Sequence, residues 1–264
     1  MNYLTAGRAD KHKLYETSVQ SADTEVEFMD RVFVERFGRT PQYLREDFCG
    51  TALMCKEWVE KRESNHAIGI DLDESTLQWA KENNLNPIGA AAQRVSLICD
   101  NVLNVTDPST EIIAATNFSW WGFHDRKVLK QYFLSSLNSL VDQGMLMLDI
   151  FGGPEAQVVQ FEEREYDGFT YIWDQDKFNP ITHSYKCNIH FRFPDDSKME
   201  NAFQYDWRIW TIPETRDLLL ESGFKEVVIY WEGTDQDGNP NGNFQPCGAG
   251  DLAPAWVAYI VAFK

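Results

Sequence analysis

No block of lysines and arginines stands out in this sequence. Acids outnumber bases 41 to 24, leaving a formal net charge of −17. Phosphate backbones and anionic membrane surfaces are repelled on average by such a chain, so neither nucleic acid nor a membrane is expected as a partner. The acidic balance itself requires nothing beyond solubility. Cysteine is sparse. The five, Cys49, Cys55, Cys99, Cys187 and Cys247, are odd in number and form no C-x-x-C pair, which speaks against both a disulfide framework and a zinc ribbon. Reduced thiols and no metal site are the expectation. No hydrophobic run approaches the roughly 20 residues that cross a bilayer. The opening MNYLTAGRADKHKLYE carries no apolar stretch of the signal-peptide kind, and a cytoplasmic location fits reduced cysteines.

What is present is a large apolar fraction, 43% of 264 residues, enough for a sizeable core and against disorder. Thr24 to Phe37 read as an amphipathic helix, with Val26, Met29, Val32, Phe33 and Phe37 at helical spacing. Strand and helix signals then alternate. Strands are expected at Tyr43–Phe48, His66–Asp71, Val95–Asp100, Glu111–Phe118 and Gly144–Phe151, with helices at Leu53–Lys61, Glu74–Asn83 and Asp125–Leu140. Short apolar strands separated by helices imply a parallel sheet covered on both faces. The link Asn101–Thr110 is barely long enough for a helical crossover and is expected to be irregular.

After Phe151 the period changes to two. Phe169–Asp174, Thr182–Phe193 and Ala202–Trp210 alternate, and in THSYKCNIHFRF one face carries Tyr185, Cys187, Ile189, Phe191 and Phe193. An inserted antiparallel sheet of three strands, within 152–210, follows from this. A helix at Pro213–Glu221 and strands at Glu226–Trp231 and Trp256–Phe263 close the chain. The segment between the last two strands is rich in Gly, Pro, Asn and Asp and has no helical period, so they are expected to pair antiparallel.

The stretch REDFCGTALMCKEW joins the first strand to its helix and keeps a single glycine, Gly50. Alone it is a weak ligand-binding signal, as compatible with an ordinary strand-to-helix turn as with a loop that lets backbone approach a ligand. Its context strengthens it. Glu46 ends the first strand, Asp71 the second, Asp100 the third and Asn117 the fourth. Four polar side chains thus share the edge where doubly wound sheets bind ligands. Asp71 is placed to accept hydrogen bonds from ribose hydroxyls, or else to cap the following helix.

With these residues in view, the chain resembles the class I S-adenosylmethionine-dependent methyltransferases over nearly its whole length. EDFCGTA resembles the family's first motif, GIDLD the second, CDNV the third and GMLMLDIFGG the fifth-strand segment, while TNFSWW sits where the fourth-strand motif lies and IPETRDLLLESGFKEVVIYWEG resembles its penultimate helix and sixth strand. The resemblance implies a single α/β domain over 1–264: a doubly wound, Rossmann-like sheet of seven strands with a terminal antiparallel pair, an inserted three-stranded antiparallel cover and an N-terminal helical arm over 1–40. It implies S-adenosylmethionine as cofactor. Glu46 would stand near the methionine amino group, Gly50 would let backbone pass the amino-acid part, and Thr51 belongs to the same loop. Asp71 would hold the ribose with Leu72 beside it, Asp100 and Asn101 would flank the adenine, and Asn117 would lie near the methionine. Phe48 departs from the family, standing where the first glycine is usual, and would cover the cofactor; Ala52 replaces the last glycine and is small enough to pack.

The expected activity is methyl transfer to a small-molecule acceptor by in-line displacement, in which positioning supplies much of the acceleration and no catalytic residue is assigned. A noncatalytic S-adenosylmethionine-binding protein, a protein methyltransferase and, more remotely, a nicotinamide oxidoreductase are the alternatives. Trp120, Trp121 and Phe151, from the loops after the fourth and fifth strands, and His190 and Arg192, on the polar face of the insertion, are the candidate acceptor-binding residues. Arg192 could grip a carboxylate or phosphate, or simply be solvated. Tyr15 either closes over the site or anchors a surface arm. The aromatics of the insertion also offer a homodimer contact.

Overall fold

The computed structural model describes residues 4–264. The first three residues of the expected arm lie outside that range. The arm is two helices, α1 (Lys11–Ser18) and α2 (Ala22–Phe37). Asp10 caps α1, its carboxylate accepting the backbone N–H groups of His12 and Lys13. Gly38, left-handed at φ 68°, ends α2.

Strands and helices then alternate as β1 (Tyr43–Asp47), α3 (Leu53–Lys61), β2 (His66–Asp71), α4 (Glu74–Ala80), β3 (Val95–Cys99), β4 (Thr110–Ala115), α5 (Arg126–Ser139) and β5 (Leu140–Gly152). The segment between β3 and β4 forms no helix, as its length demands. The insertion holds β6 (Gln160–Tyr166), β7 (Phe169–Phe178), β8 (Ser184–Arg192) and β9 (Lys198–Arg208), and α6 (Ile212–Glu221), β10 (Glu226–Thr234), β11 (Pro240–Pro246) and β12 (Trp256–Phe263) complete the chain.

The large sheet has the order β11-β10-β12-β5-β4-β1-β2-β3. Its β1–β5 pairings are parallel, and β12 runs antiparallel to both β5 and β10. The doubly wound sheet with its antiparallel ending is therefore present, and an eighth strand, β11, extends it along β10. The insertion is likewise larger by one strand than its alternation indicates, because β6 pairs with β7 in a second, four-stranded sheet.

The alternation in β8 is realised as expected. Tyr185, Cys187, Ile189 and Phe191 are buried on one face. Part of that face joins the core under Trp120, Trp121 and Phe151, and part packs on Leu14 of α1. The inserted sheet and α1 thus lie together over the carboxyl ends of the strands. Underneath, Arg45 of β1 is fully buried and forms a two-point ion pair with Asp47 at 2.6 and 3.2 Å. Its guanidinium also donates to the carbonyls of Val102 and Val105, and Tyr132 of α5 donates to Asp47 at 2.9 Å. A buried ion pair is tolerable only when its remaining donors are satisfied. Here they fasten the irregular β3–β4 segment to the sheet.

Candidate functional site

The strand order reverses between β1 and β4, and open α/β sheets bind ligands in the crevice at such a point. β1 passes into α3 through Phe48–Ala52. Phe48, Gly50 and Ala52 are all left-handed, at φ 59°, 49° and 54°. The backbone shape that glycines make easy is therefore kept where two of them are missing, at a strain of about 1–3 kcal/mol for each non-glycine residue. A Cβ on Gly50 would meet nothing within 4 Å, so the loop faces open space. Gly69 lets the loop sit close: a Cβ there would lie 2.8 Å from Cys49 Sγ.

This loop floors a cavity of about 360 Å3 together with Glu46 and Asp71. His12 and Tyr15 of α1, with Phe203 and Tyr205 of β9, form other parts of its wall. One Asp71 carboxylate oxygen accepts from the Gly50 N–H at 2.8 Å and the other from Asp73 N–H at 2.9 Å. The cap of α4 is Asp73, which accepts from Ser75 and Thr76, so Asp71 is free of that duty and braces the loop. Glu46 accepts from Cys55 N–H at 3.1 Å. Burial pushes its pKa up to about 8, with Asp71 and Asp47 adding to the shift.

Tyr15, Asn117, Tyr205 and Trp207 also line a second cavity, of about 410 Å3, which runs beneath the inserted sheet. Phe151, Tyr171, Trp173 and Tyr259 supply aromatic wall, and Glu25 and Asp149 are its buried acids. Asp149 accepts from Phe118 N–H at 2.9 Å. Burial raises its pKa to about 7 against the hydrogen bonds from the Phe118 and Asn117 backbone. Burial raises Glu25 well above the carboxylate range, and Asp149 adds to it. Tyr15 packs against Phe203 with ring centroids 4.7 Å apart, and burial pushes its phenol up to about 12. α1 is held in place by Asn84, which donates to both Glu16 and the Thr51 carbonyl, and by Trp79, which donates to Asp10.

The structure brings Tyr15, Glu46, Phe48, Gly50, Thr51, Asp71 and Asn117 to the first cavity and Phe151 to the second. Other candidates stand elsewhere. Leu72 is 69% exposed, and Asp100 and Asn101 lie at the same sheet edge but outside both cavity walls. Asp100 accepts from Asn104 and from Asn101 N–H, which hold its carboxyl below the usual range. Trp120 and Trp121 do not reach a cavity. Both are fully buried in the core, with Trp120 donating to the Asp149 carbonyl and Trp121 packed behind Phe151 at 4.7 Å.

His190 and Arg192 also miss both cavities, because the apolar face of the insertion is the one turned inward. Arg192 makes a two-point pair with Glu163 at 2.7 and 2.9 Å, and His190 contacts Asp174 at 3.3 Å. Tyr171, Trp173, Tyr205 and Trp207 belong to the inserted sheet, itself a candidate wall of the acceptor pocket, whereas Glu25 and Asp149 were not among the sequence candidates. Both of these acids carried a signal. Glu25 occupies the apolar stripe of α2, one turn before Met29, and Asp149 is the lone charge inside the buried run MLMLDIF. Among the described residues no group of three or more His, Cys, Asp and Glu could hold a metal ion, and no helix is long and apolar enough to cross a membrane.

Neither a family model nor a curated protein matches this sequence. Solved structures match its shape. An S-adenosylmethionine-dependent methyltransferase from Clostridium acetobutylicum superposes with a TM-score of 0.70 at 15% identity, covering 96% of each chain. DesVI from Streptomyces venezuelae gives 0.69 at 14%, covering 96% of this chain and 98% of its own. CalS10, an amino pentose methyltransferase from Micromonospora echinaspora solved with S-adenosylmethionine bound, gives 0.68 at 12%, covering 96% and 95%. The fold is that of these methyltransferases. In this methyltransferase fold the likeness spans the insertion as well as the doubly wound sheet, since nearly the full length of each chain is covered.

Proposed function

We propose that this protein transfers a methyl group from S-adenosylmethionine to a small-molecule acceptor. The carrying observation is the pair of cavities that meet at the sheet's reversal point and share Tyr15, Asn117, Tyr205 and Trp207 as a common wall. One cavity is built around the acids of β1 and β2, and the other is roofed by the insertion.

The residues of the first cavity fit the cofactor. Glu46 offers a buried carboxylate to the methionine ammonium, and an ammonium there would relieve the cost of burying that charge. Each Asp71 oxygen accepts one protein hydrogen bond and keeps a lone pair for a ribose hydroxyl. Gly50 leaves room for a backbone approach. Phe48 and Thr51 flank the amino-acid part, and Leu72, Asp100 and Asn101 serve the adenine end at the open edge of the sheet. When bound, the sulfonium supplies an electrophilic methyl group. The chain's part is to hold the acceptor in line with it and to keep water out, and the aromatic residues of the shared wall suit both tasks. A cavity of about 410 Å3 is of small-molecule size, which favours such an acceptor over a protein.

Calorimetry tests the reading. S-adenosylmethionine and S-adenosylhomocysteine are expected to bind, and NAD and FAD are not. Comparable binding of NAD would remove the cofactor assignment.

A further inference from the structure

We propose that the acceptor cavity takes a cationic primary or secondary amine, whose N–H groups are held by the Glu25 carboxyl within a wall of aromatic rings. Because it names the acceptor of the methyl transfer proposed above, this assignment rests on that reading.

Glu25 is 7% exposed and lines the cavity. Among the described residues no N–H or O–H group donates to its carboxyl. Buried carboxylates are ordinarily paired or hydrogen-bonded, because desolvating the charge alone is costly. The titratable groups whose fields reach Glu25 are all acids: Asp149 from β5, Glu46 from β1 and Asp23 from its own helix. Tyr15 from α1 and Tyr259 from β12 sense it in turn. None of them is a cation. The basic side chain on the cavity wall, Arg164, is already engaged by Glu162 at 2.7 and 2.9 Å. Among the described residues, then, no free cation stands ready to offset an ionised Glu25.

The rest of the wall has the same preference. Tyr171, Trp173, Tyr205, Trp207 and Tyr259 line the cavity, and aromatic faces attract ammonium groups. A carboxylate-bearing acceptor would meet Glu25 and Asp149, and among the described residues of the wall no free cation would offset them. An alcohol would satisfy hydrogen bonds but could not offset the charge of an ionised Glu25.

The proton balance also closes. An ammonium has no lone pair to offer. Transfer of one N–H proton to the Glu25 carboxylate gives a neutral amine and a neutral carboxylic acid. Burial has already pushed the Glu25 carboxyl towards that neutral form.

The test uses matched ligands of one shape: phenethylamine, phenethyl alcohol and hydrocinnamate, with cyclohexylmethylamine, cyclohexylmethanol and cyclohexylacetate as a second set. Kd is measured by NMR titration on the full chain, with and without S-adenosylhomocysteine. The amine of at least one set is expected to bind about tenfold or more tightly than its alcohol, as one charge-assisted hydrogen bond allows, and the carboxylates most weakly. Glu25→Gln should remove the amine's advantage while leaving the alcohol's Kd unchanged, and Glu25→Asp should retain it. Amines that bind no better than alcohols in both sets overturn the proposal, as does an undiminished advantage in folded Glu25→Gln. Should Glu25→Gln fail to fold, the wild-type comparison decides alone. S-adenosylhomocysteine affinity is measured separately: its absence would defeat the methyl-transfer reading, while the amine preference of the unliganded chain still judges Glu25.

Discussion

The Asp149 carboxylate, near the end of β5, accepts the backbone N–H of Phe118 at 2.9 Å and so ties the fifth strand to the turn that closes the fourth. Both residues of that turn are left-handed, Asn117 at φ 55° and Phe118 at φ 57°. Neither is glycine, so the strained backbone persists because its surroundings hold it. Asp149→Ala removes the acceptor and is expected to destabilise the protein by about 1–3 kcal/mol, read as a lower midpoint in urea. Asp149→Asn keeps one carbonyl acceptor and should lose less. An unchanged midpoint in Asp149→Ala would show that the turn holds itself.

Buried acids make the unliganded protein sensitive to alkali. Burial raises Glu46 to about 8 and Asp149 to about 7, and it raises Glu25 well above the carboxylate range. The folded state therefore holds protons that the unfolded chain releases near pH 4 to 4.5. Stability from these groups is fully present below the unfolded values and is lost as pH rises through the folded ones. Tm measured without ligand should fall from about pH 5 to about pH 8. On the proposed assignment S-adenosylmethionine brings an ammonium to Glu46, so a saturating concentration should flatten the profile. A ligand-free Tm that rises over this interval would contradict the protonated state of the site.

Asp71 both braces the Gly50 loop and faces the first cavity. In Asp71→Ala the affinity for S-adenosylhomocysteine should fall by about tenfold or more, since each charge-assisted hydrogen bond is worth roughly 1.5–3 kcal/mol. Calorimetry on a variant with a native circular-dichroism spectrum makes the measurement. Unchanged affinity would leave Asp71 as a loop brace alone.

Arg192→Ala is expected to do nothing to cofactor affinity or turnover. Its guanidinium is spent on Glu163 on the solvent side of the insertion, and exposed ion pairs contribute little. A large loss of turnover would mean that the insertion reverses its faces in the working state.

The parts of the fold that could be read from the sequence are those whose burial dictates their pattern. HAIGID is buried along four consecutive residues and reads as a covered parallel strand. The alternation of β8 follows its one packed face. The elements that escaped are held chiefly by backbone pairing or by few contacts. β6 is QFEEREY, exposed along most of its length, and takes its place through its ladder with β7. β11 is PNGNFQP at the sheet edge, with Phe244 its one buried residue. α1 buries Leu14 alone. Among the residues that line the first cavity, the strand-end positions Glu46, Asp71 and Asn117 were legible because topology places them. Trp120 and Trp121 were misleading because the chain turns back under its own insertion, so that loop tryptophans become core. Which face of the inserted sheet turns inward depends on tertiary packing, and no local pattern encodes it.

The wall common to the two cavities constrains how this protein could be altered. A change at Tyr15, Asn117, Tyr205 or Trp207 touches both compartments at once, so under the proposed function any gain in accommodating a new acceptor would arrive coupled to a change in how the methyl donor is held. Tyr171, Trp173 and Glu25 border one compartment only. On the proposed assignment, variation confined to those positions would reshape acceptor choice while the donor side stays constant, which would make them the natural sites for divergence and for redesign.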